Sequence, residues 1–175
     1  FTPALHINMG MVAAGNAPTI IFTKEFFDAF VMMGGAGATL SLAVALILRK
    51  TRTPHRKLGI FSLRTGVINV NEVMLFGLPI VFNIYLLIPF IFMPVILTLT
   101  TGAFMSLGLV PLTIHAVEWT TPVLFSGYIA TGSLAGSIMQ LVNIAIEAAI
   151  YMPFINQYEK QIANQNLKAM DKLNK

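Results

Sequence analysis

The sequence contains no cysteine, which excludes disulfides, thiolate metal sites and a cysteine nucleophile from this chain. Charged residues are also scarce: they make up 10% of the 175 residues, whereas an ordinary soluble domain has about 25%. Hydrophobic residues make up 56%. A soluble protein of this size needs polar side chains over its surface, and this chain has too few of them. The fold therefore requires an apolar solvent, the lipid bilayer.

The net charge of +4 does not indicate a nucleic-acid-binding protein. The basic residues are grouped in two short polar stretches instead of lying along a surface with interleaved aromatic side chains. The denser stretch, residues 49–64, holds six of the eleven lysines and arginines. Beside an apolar helix, such a group marks the cytoplasmic side of a membrane. We therefore expect a lipid bilayer, and no nucleic acid, among the partners.

Long apolar runs predict an all-α integral membrane protein with several transmembrane helices. Residues 26–48 can cross a bilayer, since about 20 apolar residues suffice. This run contains the small residues of positions 34–38, which we interpret as a close-packed helix surface rather than as a bend. Residues 73–102 form a second apolar run, and we expect proline and asparagine to break it. The interrupting residues are Pro79, Asn83, Pro89 and Pro94.

The C-terminal third predicts one short apolar segment and then a spanning helix at about residues 134–154. Residues 1–25 read as a helix end followed by a loop, with glycine and proline as breakers. Residues 156–175 are polar, with apolar residues at loose helical spacing. We divide the chain accordingly into a membrane domain, residues 1–155, and a polar cytoplasmic tail, residues 156–175.

Between residues 65 and 158 there is no lysine or arginine, and the acidic residues are Glu72, Glu118 and Glu147. An ionised carboxylate in hydrocarbon is costly unless it faces protein, water or a partner. The Asn71-Glu72 pair is bracketed by glycine and proline, a pattern typical of a re-entrant hairpin. Its carboxylate and carboxamide suit sugar hydroxyls. The alternative is a structural glutamate that backbone groups satisfy at a helix start.

A polar island at residues 111–122 contains further candidates. Trp119, the only tryptophan, is either an anchor at the membrane interface or a platform for a sugar ring. Thr120 beside it adds a hydroxyl, and His115 is either a general base or a solvated histidine. Glu147 shares a helix face with Asn143, for which we favour packing between helices. No metal-ligand spacing or cofactor motif is present, so we expect neither a metal nor a cofactor.

The chain resembles, over nearly its full length, the C-terminal half of EIIC, the membrane subunit of phosphotransferase-system sugar transporters. The resemblance is to the lactose, cellobiose and diacetylchitobiose branch. Its strongest element is residues 66–83, G-V-I-N-V-N-E-V-M-L-F-G-L-P-I-V-F-N, which is similar to the family pattern G-I-F-N-I-N-E-P-x-x-F-G-L-P-I-V-x-N. Residues 26–30, 34–40, 119–122 and 140–143 match in the same order.

The resemblance implies a permease that carries a disaccharide inward while a partner subunit, EIIB, phosphorylates it from its own cysteine. EIIA would be a further partner subunit, and the chain would be a subunit of a phosphotransferase rather than a self-contained enzyme. Glu72 would bind sugar hydroxyls and help position or deprotonate the accepting one, and Trp119 would be a stacking platform. Asn71, Thr120 and His115 complete the expected binding residues. The family also implies a homodimer and a multi-pass location in the bacterial plasma membrane.

Two departures from the family pattern stand near these residues. Val73 replaces the proline of N-E-P, and Glu118 replaces the proline before the tryptophan. The family's catalytic histidine belongs to an H-G motif that precedes the matched segment, and His6 lacks the following glycine. We therefore expect that histidine, and the family's first membrane helices, outside this sequence.

Two alternative functions remain open at this point. One is a proton- or cation-coupled secondary transporter in which Glu72, Glu118 and Glu147 titrate. The other is an inactive, truncated membrane fragment.

Overall fold

The computed structural model describes residues 2–49 and 54–173, and all regular secondary structure in these ranges is helical. The elements are α1 (Thr2–Ala13), α2 (Lys24–Phe26), a π-helix (Phe27–Val31), α3 (Thr39–Leu48), α4 (Pro54–Gly66), α5 (Glu72–Gly77), α6 (Ile84–Ser106), α7 (Phe125–Thr131) and α8 (Leu134–Leu173). Within the basic stretch, residues 50–53 lie outside the described residues, as do residues 1, 174 and 175.

Two helices are long and apolar enough to cross a membrane. The first, α6, has 23 residues and is about 35 Å long, and α8 has 40 residues and is about 60 Å long. Helix α8 confirms the span predicted at about residues 134–154, whereas α6 is one continuous helix in a run for which the sequence predicts broken segments. The second helix runs on past residue 155 without interruption, and Ile155 and Tyr158 are still buried. The assignment of residues 156–175 to a cytoplasmic tail stays a prediction.

The prediction of one continuous span over residues 26–48 is wrong. Helix α2 passes into the π-helix, the chain then leaves helical geometry, and α3 begins only at Thr39. Three glycines in the gap, together with Ala38, have positive φ angles, from 52° at Ala38 to 95° at Gly35. Residues with a Cβ rarely adopt positive φ angles, whereas glycine does so readily. The small residues of positions 34–38 therefore form a bend. We call residues 34–37 the glycine loop.

The prolines of the second apolar run have two different effects. Pro79 lies between α5 and α6, where the predicted break occurs, and Asn83 accepts a hydrogen bond from the Tyr85 N–H as the N-cap of α6. Pro89 and Pro94 lie inside α6 and do not break it, contrary to the prediction. Helices at membrane depth tolerate proline when neighbouring groups satisfy the freed carbonyls.

Helices α4 and α5 form the hairpin that carries the Asn71-Glu72 pair. With 13 and 6 residues, they are about 20 Å and 9 Å long, too short to cross a bilayer. A five-residue turn, residues 67–71, joins them. Helix α3 packs against α4 and against α8, so α3 lies at the centre of the described bundle. Short helices joined at a turn are the arrangement expected of a re-entrant hairpin.

The polar island is irregular and is held in place by the N-terminal segment. Asn8 is buried, and its Nδ2 donates to the carbonyls of Ile20, at 2.7 Å, and Thr113, at 3.1 Å. The hydroxyls of Thr23 and Thr113 are 2.6 Å apart and form a hydrogen bond. These contacts fix the start of the segment that leads to Trp119.

Candidate functional site

The tip of the hairpin begins with an ordered end of α4. The Val70 N–H donates to the Thr65 carbonyl at 3.1 Å, and the Asn69 N–H donates to the Gly66 carbonyl at 3.0 Å. This pair of bonds is a Schellman motif, which requires a left-handed residue after the helix. Asn69 fills that position with a φ of 61°. The motif turns the chain sharply and presents residues 69–72 as a tip.

Asn69 connects this tip to two other segments. Its Oδ1 accepts a hydrogen bond from the Gly34 N–H at 2.8 Å, and its Nδ2 donates to the Trp119 carbonyl at 2.7 Å. The residue is only 6% exposed. Nearby, the Val123 N–H donates to the Val67 carbonyl at 2.9 Å. The glycine loop, the hairpin tip and the Trp119 segment therefore meet at one place.

Asn71 makes the second contact between the tip and the glycine loop. Its Nδ2 donates to the Ala36 carbonyl at 3.2 Å. A Cβ at Gly35 would lie 2.6 Å from Asn71 Cγ, and one at Gly37 would lie 2.2 Å from the Phe90 ring. Both glycines also have positive φ angles. Glycine is required here because the loop approaches the tip and α6 more closely than any side chain would allow.

Glu72 is the first residue of α5 and its side chain is exposed. Asn71 precedes it as the N-cap but makes no capping hydrogen bond with its side chain. Within residues 2–49 and 54–173, the Glu72 carboxylate has no hydrogen bond and no ion pair. The carboxylate is therefore available to hydroxyl donors from outside the described chain.

The structure brings Trp119 to the tip but places His115 elsewhere. Trp119 is half-buried, and its carbonyl is bound by Asn69. Thr120 is exposed next to it. His115 is exposed and lies beside α7, where its backbone N–H donates to the Ala130 carbonyl at 3.2 Å. Asn71, Glu72 and the backbone of Trp119 are thus grouped, whereas a role for His115 in binding stays a prediction without a contact to support it.

Glu118 lies near a different set of charges. Lys24 donates a hydrogen bond to Asp28 at 2.5 Å, and this bond is the largest of the effects that raise the pKa of Lys24. The charges of Asp28, Glu25 and Glu118 raise the pKa further, while partial burial opposes them. Glu118 is itself exposed. The carboxylate that this sequence adds before Trp119 is therefore close enough to Lys24 to stabilise its positive charge.

Helix α8 carries a line of buried polar side chains that hold the broken segment of residues 27–41. Gln140 Nε2 donates to the Ala29 carbonyl at 2.6 Å, and Asn143 Nδ2 donates to the Phe30 carbonyl at 3.1 Å. Tyr151 Oη donates to the Gly37 carbonyl at 2.8 Å. Glu147, between them, is fully buried and accepts a hydrogen bond from Ser41. These contacts place Asn143 and Glu147 between α8 and the neighbouring segments, and their assignment to packing between helices stays a prediction.

Three residues that hold the tip and the broken segment, Asn69, Gln140 and Tyr151, are not apparent from the sequence. Asn69 stands two positions before Asn71, and only this N-V-N spacing could have indicated that both face the same loop. Gln140 and Tyr151 share one face of α8 with Asn143 and Glu147, at intervals of three or four residues. This spacing was available in the sequence, but the partners of these side chains were not.

Comparison with known proteins identifies the same family throughout. The family model "Phosphotransferase system, EIIC" matches residues 1–94. The chain is 43% identical over 161 residues to the lichenan permease IIC component of Bacillus subtilis (strain 168), covering 90% of this chain. It is 45% identical over 146 residues to the cellobiose-specific EIIC component of Geobacillus stearothermophilus, covering 82% of this chain.

A solved structure agrees with these relatives. The crystal structure of the transporter ChbC, the IIC component from the N,N'-diacetylchitobiose-specific phosphotransferase system, superposes with a TM-score of 0.86 at 42% identity. The match covers 94% of this chain and 39% of that chain. The chain spans about a third of the length of the curated relatives, 35% and 32% of the two. The helices, the glycine loop and the hairpin are therefore those of a membrane protein, and the chain belongs to the EIIC family of the phosphotransferase system.

Proposed function

We propose that the chain acts in a membrane permease of the phosphotransferase system that binds a disaccharide of the cellobiose, diacetylchitobiose or lactose type. Binding takes place at the hairpin tip. The Glu72 carboxylate and the Asn71 carboxamide bind sugar hydroxyls, and the Trp119 ring covers the apolar face of a sugar ring. Thr120 lies next to this platform. The names of the relatives, which include cellobiose and diacetylchitobiose systems, support this substrate class.

The observation that carries the proposal is that the side chains of Asn69 and Asn71 have hydrogen-bond partners and the side chain of Glu72 has none among the described residues. Asn69 and Asn71 use their carboxamides to hold the tip, whereas the Glu72 carboxylate has no partner in the described part of the chain. A rigidly supported tip that presents an unpaired carboxylate is preorganised for a ligand with hydroxyl donors. Hydrogen bonds from hydroxyls to a carboxylate are charge-assisted and therefore strong.

We further propose that EIIB receives a phosphoryl group from EIIA and donates it to the bound sugar. The chain has no cysteine of its own to carry a phosphoryl group. Glu72 then has a second role, because a carboxylate that binds the accepting hydroxyl can orient it and take its proton. The new O–P bond forms as the S–P bond to the EIIB cysteine breaks, and that cysteine leaves as a thiolate. This division leaves binding and orientation to EIIC and the phosphoryl donor to the partner.

Contacts between α8 and the basic stretch support the proposed orientation in the bacterial plasma membrane. Arg49, at the end of α3, forms an ion pair with Glu159 at 2.7 Å, and His55 Nδ1 lies 3.6 Å from the same carboxylate. The basic stretch marks the cytoplasmic side. The C-terminal end of α8 then lies on that side, where EIIB would dock, and the family's homodimer remains part of this proposal.

The test replaces Glu72 with glutamine in the protein expressed from its complete gene. Glu72→Gln keeps the size of the side chain but removes the charge that strengthens its hydrogen bonds to sugar hydroxyls. We expect labelled cellobiose or diacetylchitobiose to bind about tenfold or more weakly, since such bonds contribute about 1.5–3 kcal/mol each. Equilibrium binding to membranes measures this change.

Glu159→Gln is the matched control, because it removes one charge from a glutamate whose partner is Arg49. Sugar affinity should be unchanged in this variant. Equal affinity of the Glu72→Gln variant and the unaltered protein would place the sugar somewhere other than the hairpin tip.

A further inference from the structure

Asn69 stands where the backbone alone would favour glycine. The residue that follows the helix in a Schellman motif has left-handed geometry, and glycine adopts this geometry without steric cost. Asparagine tolerates this geometry less well than glycine but better than other residues. An asparagine with a φ of 61° therefore has a use for its side chain that outweighs the backbone preference.

The side chain of Asn69 uses both of its polar atoms, one on each neighbouring segment. The acceptor, Oδ1, binds the Gly34 N–H, and the donor, Nδ2, binds the Trp119 carbonyl. The partners are 35 and 50 positions away in the sequence. Because the group is planar and buried, it fixes the distance between the glycine loop and the Trp119 backbone. Few residue types can do this, since it needs one donor and one acceptor on a short stem.

We propose that Asn69 is a positioning residue that sets the placement of the Trp119 ring relative to Glu72. The inference rests on the function proposed above, in which these two side chains bind opposite features of one disaccharide. Asn69 itself does not contact the sugar in this account. Its donor holds the Trp119 backbone, and its own backbone holds Glu72 three residues along the same tip. The Asn69 carboxamide thus keeps the Trp119 ring and the Glu72 carboxylate at a fixed relative position.

The decisive variant is Asn69→Asp, which keeps an acceptor for the Gly34 N–H and loses the donor to the Trp119 carbonyl. We expect disaccharide affinity to fall about threefold to tenfold, the equivalent of one lost hydrogen bond and its unpaired partner. Trp119 fluorescence, isolated by subtracting the spectrum of a Trp119→Phe variant, should shift and become more accessible to a soluble quencher. A purely structural role would lower the melting temperature without changing this signal.

Asn69→Gly is the second variant, because it preserves the left-handed backbone while removing both hydrogen bonds of the side chain. It should fold and show the same fluorescence change. The matched control is Asn83→Asp, which keeps the N-cap acceptor of α6 and loses a 2.8 Å donor bond to Gln161. This control should leave sugar affinity and Trp119 fluorescence unchanged.

The outcomes separate this inference from the proposed function. Unchanged affinity and unchanged Trp119 fluorescence in Asn69→Asp would overturn the positioning role while Glu72 could still bind sugar. If the unaltered protein binds no disaccharide, the proposed function fails. In that case the role of Asn69 in positioning Trp119 for a sugar is overturned together with the proposed function. The fluorescence comparison would then report only whether Asn69 holds Trp119 in place.

Discussion

The broken segment, residues 27–41, is held from two sides, and the two sides differ in whether they leave a polar side chain exposed. On the α8 side, Gln140, Asn143, Glu147 and Tyr151 are all buried, and each makes a hydrogen bond to the broken segment or to Ser41 at the start of α3. On the hairpin side, Asn69 and Asn71 hold the loop in the same manner. The adjacent Glu72, however, is exposed and has no partner in the described residues.

This difference separates two carboxylates that look alike in the sequence. Glu72 and Glu147 both lie in the stretch of residues 65–158 that contains no lysine or arginine. Glu147 is buried where α8 packs against α3, and it accepts a hydrogen bond from Ser41. Glu72 is exposed at the hairpin tip, where the proposed function has it bind a ligand. The burial and the hydrogen-bond partners of a carboxylate therefore distinguish two residues that the sequence does not. The following substitutions test the distinction between the buried α8 side and the exposed hairpin tip.

The largest loss of stability is expected from Gly37→Ala, which changes the glycine loop between the two sides. The new Cβ would lie 2.2 Å from the Phe90 ring, at a φ of +74°. Left-handed strain costs about 1–2 kcal/mol and overpacking about 1–3 kcal/mol, so we expect a loss of about 3 kcal/mol in unfolding free energy. Thermal unfolding in detergent measures this loss.

Gly15→Ala is its control, because Gly15 has a similar φ of +78° but open space around it. It should lose about 1 kcal/mol, which reports the strain alone. Equal losses in the two variants would mean that the close approach to Phe90 does not constrain the loop.

An intermediate effect is expected from Gln140→Leu on the α8 side. Gln140 is fully buried, and its Oε1 also accepts hydrogen bonds from the N–H groups of Leu124 and Gly127. Each hydrogen bond between membrane helices contributes about 0.6 kcal/mol, so the variant should lose about 2 kcal/mol of stability. Ser137→Ala, one turn earlier, removes a single bond to the Leu124 carbonyl and should lose less than half as much. A Gln140→Leu variant as stable as Ser137→Ala would show that α8 does not fasten the broken segment.

The smallest effect is expected from Glu147→Gln. Glutamine retains an acceptor for Ser41 and nearly the same volume, so sugar affinity and uptake should stay within about twofold, or about 0.4 kcal/mol. Uptake by this variant at pH 6 and pH 8, with and without an ion gradient, provides the measurement. Loss of gradient-driven uptake would instead support the ion-coupled transporter in which Glu147 titrates.

Much of the helical architecture could be predicted from the sequence. Apolar length indicated α8, and the break at Pro79 and Asn83 followed from the chemistry of proline and of a helix cap. The same reasoning wrongly predicted breaks at Pro89 and Pro94, which lie inside α6. The error at residues 26–48 has a physical cause. A run of small apolar residues permits close helix packing and a left-handed bend equally well, and composition does not distinguish them.

The candidate site was predictable only in part. The anomaly of an acidic residue without a basic neighbour drew attention to Glu72, and the motif around it indicated a hairpin. Asn69 carried no such signal, because an asparagine in a turn is usually satisfied locally. Its partners, Gly34 and Trp119, lie 35 and 50 positions away, so its role depends on long-range contacts.

The sequence by itself determined that this chain enters a membrane, since 10% charged residues cannot cover a soluble fold of this size. It also located the spanning helix near residues 134–154, because the apolar length needed to cross a bilayer is a property of local composition. Only the tertiary structure decided which carboxylate is buried and which is exposed. It also decided that the glycines form a loop and that Asn69 joins three segments, because each of these facts depends on groups that folding brings together from distant parts of the chain.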